Sequence, residues 1–272
     1  MKITVVTTFN QKGLTEYAQR MIDSFSENWP IDVTLQVYPE NCNPSLDHVD
    51  NASVYHLTNV PELVAFKNKW CGVPMATGWC DDSTKKHPDK TQRVGFKWDA
   101  VRFSHKVYSI FHCASHSKAD LLIWMDADTI CHSPITIEEI ERLCPPDKDL
   151  CFLGRKGKYS ECGLYAMNLK SDKVRAFLSK FQRYYDDANN GIFTLSEWHD
   201  SFVFDAIRKQ FDLNELDWSG HLITGEGHPL INSEWGAYLD HLKGDRKQST
   251  RSNLSDLKVA RTEAYWQSIT PT

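Results

Sequence analysis

Apolar residues recur along the chain in two rhythms, one typical of strands and one typical of helices. Every second residue is apolar in 31–38, whereas apolar residues recur every three or four positions in 13–28. The segment 121–125 is apolar throughout, as in a central strand covered on both faces. The patterns predict strands at 2–9, 31–38, 53–57, 121–125, 150–153 and 163–168. They predict helices at 13–28, 61–69, 98–114, 135–143, 171–185, 196–210 and 252–266, with Ser171 and Ser196 as N-caps.

The order of these elements indicates the fold class. The chain opens with a strand, a helix and a second strand, which favours an α/β fold with a mostly parallel central sheet flanked by helices. No repeat or low-complexity linker divides the 272 residues, so we expect a single domain, 1–272. The polar segment 78–95 is predicted to be an exposed loop, and 222–243 an irregular segment with strand-like parts.

Composition excludes some classes of protein. A net charge of −5 argues against bulk nucleic acid as the main partner. No apolar run reaches the roughly 18 residues of a membrane span, and the N-terminal apolar run is too short for a signal peptide. None of the eight cysteines is spaced as Cys-x-x-Cys. We therefore expect reduced cysteines in a cytoplasmic protein, and the sequence does not indicate an oligomeric state.

Two carboxylates follow the apolar run 121–125. Asp126 and Asp128 are two residues apart, so on a strand they point to the same side. At the carboxyl end of a strand they would overhang the crevice in which open α/β sheets bind ligands. Like charges this close repel unless a cation lies between them, and a hard divalent cation would suit oxygen ligands here.

Other interpretations of this pair stay open. Both aspartates are also common turn-formers and helix caps after a strand. Phosphatases of the haloacid-dehalogenase type use a similar Asp-x-Asp, but they want Thr or Val where this chain has Ile130, and they place the pair on the first strand of the core. Here a complete strand–helix–strand unit comes first, which disfavours the phosphatase.

A second set of polar residues lies far downstream. His241, Gly244 and Lys247 are spaced as His-x-x-Gly-x-x-Lys. An imidazole suits manganese-like ions, a glycine lets backbone approach a phosphate, and a lysine supplies a point charge for a diphosphate. The alternatives are a surface histidine and a basic turn. Together with the aspartate pair, these residues favour a site for a metal ion and a diphosphate.

With both motifs in this order, the chain resembles the metal-dependent glycosyltransferases of the GT-A fold, and in its second motif the retaining, glycogenin-like branch. The resemblance implies a Rossmann-like nucleotide-sugar-binding half, 1–130, and an acceptor-binding half, 131–272, that closes the metal site. It implies that Asp126, Asp128 and His241 hold Mn²⁺ or Mg²⁺. It also implies that Asp126 with Ala127 contacts the donor, and that Gly244 and Lys247 hold its diphosphate.

The same resemblance assigns further donor residues. Thr8 and Phe9 end the first strand, where this fold receives the nucleobase, although Phe9 also fits a core position. Arg102 and Lys106 are one helical turn apart and would face the nucleotide sugar; a solvated helix face is the alternative. Gly163 occupies a position that faces the donor sugar in these enzymes.

The stretch Trp198, His199, Asp200 is expected at a helix N-terminus on the acceptor side. By resemblance, Asp200 is either the catalytic base or a binder of the acceptor, while Trp198 would stack on a sugar. An acidic first turn and a core tryptophan are the alternatives. The aromatic residues Trp218, Trp235 and Tyr238 are expected either on the acceptor side or in the core.

The sequence thus predicts a glycosyltransferase that moves a sugar from a nucleotide sugar, expected to be a UDP-sugar, to a hydroxyl of a glycan, protein or small molecule. The second motif favours retention of configuration. A nucleotidyltransferase and a non-catalytic nucleotide- or carbohydrate-binding module stay open. The former should carry a glycine-rich basic loop after the first strand, where this chain offers Lys12 and Gly13.

Overall fold

The computed structural model describes residues 1–79, 95–220, 228–244, 246–249 and 251–268. Its strands are β1 (Ile3–Asn10), β2 (Val33–Glu40), β3 (Ala52–Val54), β4 (Leu121–Met125), β5 (Thr129–Cys131), β6 (Leu150–Leu153), β7 (Glu161–Asn168), β8 (Glu215–Asp217) and β9 (Leu239–His241). Its α-helices are α1 (Gln11–Gly13), α2 (Gln19–Asn28), α3 (Pro61–Trp70), α4 (Ala100–His116), α5 (Ile137–Leu143), α6 (Asp172–Asp186), α7 (Asp200–Arg208), α8 (Pro229–Asn232), α9 (Arg246–Ser249) and α10 (Ala264–Gln267). A π-helical turn, Leu14–Ala18, joins α1 to α2.

Seven of the strands form one sheet in the order β3-β2-β1-β4-β7-β6-β8. Strands β1 to β4 pair in parallel, whereas β7 is antiparallel to both β4 and β6. The predicted α/β class, with a mostly parallel sheet flanked by helices, is confirmed. The sheet takes strands from both 1–130 and 131–272, and the division into two functional halves stays a prediction.

The central strand β4 shows why its sequence is apolar throughout. Its five residues are all buried. Leu122 and Trp124 belong to a core packed with α3, α4, α6 and α7, whereas Ile123 and Met125 belong to a core packed with α2 and α5. Successive side chains alternate between the faces of the sheet, so a strand covered on both faces must be apolar at every position.

Several sequence predictions of element boundaries are wrong. The helix expected at 196–210 begins at Asp200, and His199 caps it in place of Ser196. The backbone N–H groups of Trp198 and His199 both donate to the Lys97 carbonyl, which holds this segment extended. Strand β2 begins at Val33, and Ile31 before it is 66% exposed.

The prediction of a long C-terminal helix at 252–266 is also wrong. A short 3₁₀ turn, Leu254–Asp256, and α10 stand there instead. Ser252 and Tyr265 both donate to the buried Asp240 carboxylate, and these tertiary hydrogen bonds replace a continuous helix. Strands β5 and β8 were not predicted, and β9 lies in the segment 222–243, for which only strand-like parts were expected; strands of three residues show little periodicity.

The remaining expectations concern two irregular segments, the cysteines and membrane-spanning helices. Residues 80–94 of the expected loop and 222–227 of the irregular segment lie outside the described residues. The seven cysteines that the structure describes are free. Among the helices it describes, none has the length and apolar character needed to cross a membrane.

Candidate functional site

The aspartate pair lies in a turn at the carboxyl end of β4. The Asp126 N–H donates to the Gly163 carbonyl over 2.8 Å, and the Thr129 N–H donates back to the Asp126 carbonyl over 3.1 Å. The chain then enters β5, which pairs antiparallel with β9 and sets Thr129 opposite His241. This short second sheet therefore brings His241, 113 residues later, beside Asp128.

The three predicted metal ligands converge. The His241 Nε2 atom is 3.0 Å from Asp128 Oδ1 and 3.7 Å from Asp126 Oδ2. One ligand atom from each residue lies within 4.8 Å of the others. Two carboxylates and one imidazole form a donor set of the kind that manganese-like ions accept, with positions left for phosphate oxygens.

A glycine makes room for the histidine of this set. A Cβ atom at Gly163 would lie 2.3 Å from His241 Cε1 and 2.5 Å from His241 Nδ1. The structure thus places Gly163 against His241, and its expected contact with a donor sugar stays a prediction. His241 Nδ1 is buried without a hydrogen-bond partner among the described residues. The ring is therefore held by packing, with its Nε2 edge toward the carboxylates.

The charged side chains of the site form ion pairs with one another. Lys247 Nζ is 2.9 Å from Asp128 Oδ2 and lies 4.6 Å from the centre of the Tyr17 ring. Burial acts to raise the pKa of Asp128, but His241 and Lys247 outweigh it and lower the pKa. Burial acts to lower the pKa of His241, but Asp128 outweighs it and raises the pKa. A divalent cation at these atoms would compete with the cationic partners of Asp128.

A buried lysine connects this set to Asp200. Lys106 Nζ lies 3.0 Å from Asp126 Oδ1 and 2.7 Å from Asp200 Oδ2, and it also donates to the Cys162 carbonyl. Burial acts to lower the pKa of Lys106, but the two aspartates outweigh it and raise the pKa well above its usual value. Lys106 is 7% exposed, so it braces two carboxylates rather than standing free for a phosphate.

The stretch around Asp200 is built by local hydrogen bonds. His199 accepts a hydrogen bond from the Phe202 N–H, and its Nε2 lies 2.9 Å from Glu197 Oε2. Burial lowers the pKa of His199. Asp200 thereby begins α7, where the helix dipole favours a carboxylate.

Two cavities meet at these residues. The smaller cavity has a volume of about 300 Å³ and the larger about 910 Å³. Asp126 and Asp200 line both, together with Phe103. The predicted residues that line the smaller cavity are Thr8, Phe9, Arg102, Lys106, Asp126, Ala127, Asp128, Asp200 and Lys247. His199 lines the larger cavity.

Some predicted residues lie elsewhere. Trp198 is 1% exposed, packs against Phe193 and donates its indole N–H to the Leu195 carbonyl. It belongs to the core, so its predicted stacking on an acceptor does not fit its position. Trp218 and Trp235 are buried against each other, and neither they nor Tyr238 line either cavity. Gly244 is exposed at φ +60° on the turn between His241 and Lys247, which favours glycine.

Sequence reasoning missed several residues of the site. Glu40 ends β2 and lines the smaller cavity with His105, whose Nε2 lies 3.3 Å from Glu40 Oε1. Burial lowers the pKa of His105 to about 4. Tyr17, in the π-helical turn, lines the same cavity. The position of Glu40 at a strand end was a signal that could have identified it.

Glu161 was missed as well, and it starts β7 beside the larger cavity. It is 4% exposed and pairs with Lys243 and Arg155. Burial acts to raise the pKa of Glu161, but Lys243, together with His228 and His241, outweighs it and lowers the pKa. Its carboxylate, His228 and His241 form a second cluster with metal-ligand spacing. However, His228 Nδ1 accepts the Leu230 N–H, which leaves the proton of a neutral ring on Nε2 and makes that atom a donor.

Among known proteins, this chain is similar to solved structures. No protein-family model matches the chain, and no curated protein matches it. The solved structures similar to it include an active-site mutant of LgtC, at 9% identity and a TM-score of 0.47 over 89% of this chain and 88% of that one. They also include the WbbM bifunctional glycosyltransferase (10%, TM-score 0.45, 80% of this chain) and the GlyE glycosyltransferase of Streptococcus pneumoniae TIGR4 (10%, TM-score 0.42, 80%). The chain spans 38% of the WbbM chain and 45% of the GlyE chain.

Proposed function

We propose that this protein is a metal-dependent glycosyltransferase that moves a sugar from a nucleoside-diphosphate sugar to an acceptor hydroxyl. The observation that supports it best is the convergence of Asp126, Asp128 and His241 beside Lys247, because the two aspartates and the lysine line a cavity that meets a larger one. A site for a cation and a diphosphate thereby adjoins a space for a second substrate. A non-catalytic binding module would need only the first of these.

Each cavity then takes one substrate. The smaller cavity holds the nucleoside, expected to be uridine, against Thr8 and Phe9, with Asp126 near the ribose. Lys247 binds the diphosphate, and the larger cavity admits the acceptor. When bound at Asp126, Asp128 and His241, Mn²⁺ or Mg²⁺ offsets the charge that grows on the leaving diphosphate.

The position of Asp200 supports retention of configuration. Its Oδ2 atom is held by Lys106 at 2.7 Å, so taking a proton there would break a buried ion pair. No described residue donates a hydrogen bond to its other oxygen, which can accept one from a hydroxyl of the acceptor or of the donor sugar. We therefore assign Asp200 a positioning contact with substrate, while the departing phosphate accepts the proton.

The nucleotidyltransferase alternative loses support from the end of β1. That function would need a glycine-rich basic loop after the first strand. Here α1 begins at Gln11, directly after β1, and Asn10 caps it by accepting the Gly13 N–H. Lys12 in this turn pairs with Glu16 over 3.6 Å and is 78% exposed.

The proposal is tested by calorimetry of UDP and GDP with and without Mn²⁺. We expect binding of one nucleotide that depends on Mn²⁺ and is lost in Asp128→Ala. Asp212→Ala, which removes a fully exposed carboxylate, should bind as the wild type does. Hydrolysis of UDP-, GDP- and CMP-sugars then identifies the donor without a known acceptor. Absence of Mn²⁺-dependent binding for both nucleotides would overturn the proposal.

A further inference from the structure

The larger cavity is more basic than the chain around it. The chain has 31 lysine and arginine residues against 36 acidic ones. The larger cavity reverses this balance, because five of its lining residues are lysine or arginine and three are carboxylates. A cavity of opposite sign to the whole chain raises the local concentration of anions.

The three carboxylates of this cavity already have cationic partners. Lys106 holds Asp126 and Asp200 at 3.0 and 2.7 Å. Glu161 is held by Lys243 and lies 3.5 Å from the Arg155 guanidinium. Each carboxylate of the cavity wall is therefore in contact with at least one cation, although Asp126 and Asp200 share Lys106.

Two further lysines line the larger cavity. Lys158 and Lys209 have no acidic partner among the residues that the structure describes. Both also line an adjoining cavity of about 280 Å³, as does Arg155. The junction of the two cavities is therefore formed by three cationic side chains, two of which contact no carboxylate in the part of the chain that the structure describes.

The backbone holds this junction in place. The Lys158 N–H donates to the Arg155 carbonyl over 3.2 Å, and the turn passes through Gly157 at φ +73°. Arg155 donates from Nε to the Tyr159 carbonyl over 2.6 Å and from a terminal nitrogen to the Ser160 carbonyl over 3.3 Å. The guanidinium is thus fixed by local contacts, while Lys209 follows the end of α7.

We propose that the acceptor carries a phosphate group, which Arg155, Lys158 and Lys209 bind while its hydroxyl lies beside Asp200. This inference rests on the proposed transferase function, because it names the acceptor class of that enzyme. Phosphate accepts charge-assisted hydrogen bonds from both lysine and arginine. The phosphate belongs either to a soluble sugar phosphate or to a lipid-linked acceptor.

Inorganic phosphate is the probe that tests this subsite. It is titrated by calorimetry into the protein saturated with Mg²⁺ and UDP, so that the diphosphate site is filled. We expect saturable binding that weakens with salt and is about tenfold weaker in the double variant Lys158→Gln/Lys209→Gln. The control Lys12→Gln/Lys170→Gln removes the same charge at side chains that are 78% and 69% exposed, and should bind as the wild type does.

The outcomes separate this inference from the proposed function. Phosphate binding that is absent, or equal in the double variant, overturns the phosphate subsite even if UDP binds. Absence of metal-dependent binding of both UDP and GDP overturns the proposed function, and the phosphate titration still reports on the junction. Vesicles containing phosphatidic acid form a second arm: if the double variant also loses vesicle binding, the acceptor is lipid-linked, and if it loses phosphate alone, the acceptor is soluble.

Discussion

The smaller and the larger cavity share Asp126 and Asp200 but are built from different kinds of segment. In the smaller cavity, Thr8, Glu40 and Asp126 stand at or just after the carboxyl ends of β1, β2 and β4. In the larger one, many of the lining residues come from 96–97, 155–159 and 199–201, which are turns, loops and a helix start. A parallel sheet therefore dictates one site, and the connections between its elements shape the other.

The difference matters for function. Strand ends are held by the sheet, so the smaller cavity has a rigid wall suited to a ligand of constant shape, such as a nucleotide. Loops vary without disturbing the core, so the larger cavity is suited to an acceptor that differs between enzymes. If this division is correct, substitutions of residues that line both cavities should reduce sugar transfer most. Substitutions next to the metal ligands should reduce cation binding.

The largest separation of catalysis from nucleotide binding is expected from Asp200→Asn. This variant keeps the shape of the side chain but removes the charge that positions substrate, so donor hydrolysis should fall by about a hundredfold. The affinity for UDP with Mn²⁺ should stay within about threefold, because Lys247 and the metal ligands are unchanged. Steady-state rates and calorimetry measure the two quantities, with Asp212→Asn as control. An equal loss of UDP affinity would show that Asp200 supports the smaller cavity instead.

Lys106→Met tests the wall that the cavities share. Without the ammonium, the half-buried Asp126 and the more deeply buried Asp200 lose the cation that they share, and removing one partner of a buried ion pair costs about 3–5 kcal/mol. We expect the free energy of unfolding, from urea titration at neutral pH, to fall by that amount, and both UDP binding and hydrolysis to be lost. Lys106→Arg should recover part of the stability. Wild-type stability in the methionine variant would contradict the bracing role.

Gly163→Ala tests whether His241 is a metal ligand. The added Cβ would lie 2.3 Å from His241 Cε1, so the imidazole must move, at a cost of about 1–3 kcal/mol. Displacement of a ligand should weaken Mn²⁺ binding, followed by electron paramagnetic resonance, by about tenfold or more. Gly72→Ala is a matched control, because nothing lies within 4 Å of its Cβ. Unchanged Mn²⁺ affinity in Gly163→Ala would mean that His241 does not bind the cation.

The same contrast explains what the sequence could predict. The buried strand β4 and the two motifs have periods or spacings that are visible in one dimension, so the α/β class and the convergence of Asp126, Asp128 and His241 were predictable. The pairing of β5 with β9, which brings His241 into place, was not, because each strand has three residues.

The remaining errors arose where tertiary contacts override local preference. Ser196 is a good N-cap residue, but the hydrogen bonds to Lys97 keep the chain extended as far as His199. Lys106 has the pattern of an exposed helix residue, and only the fold shows that two aspartates enclose it. The roles of Arg155, Lys158 and Lys209 were not predictable, because nothing in the sequence indicates that α7 ends near the turn 155–158.

The smallest expected effect is a pH dependence that separates the metal-free and metal-bound states. The pKa of His241 is raised above its usual 6.5, because Asp128 outweighs burial. In the metal-free protein, this ion pair contributes stability that is fully present below about pH 6.5 and is lost as pH rises through the raised pKa. The affinity for Mn²⁺ should change in the opposite direction, because the cation must displace the proton on Nε2.

Calorimetry between about pH 6 and pH 9, in two buffers of different ionisation enthalpy, measures both the affinity and the protons released. Up to one proton should be released per cation below the pKa of His241, with the number falling toward zero above it. His48→Gln is the control, since that side chain is 54% exposed and its ion pair lies outside the site. A Mn²⁺ affinity that does not rise with pH across this range would remove His241 from the ligand set and leave the aspartate pair to hold the cation without it.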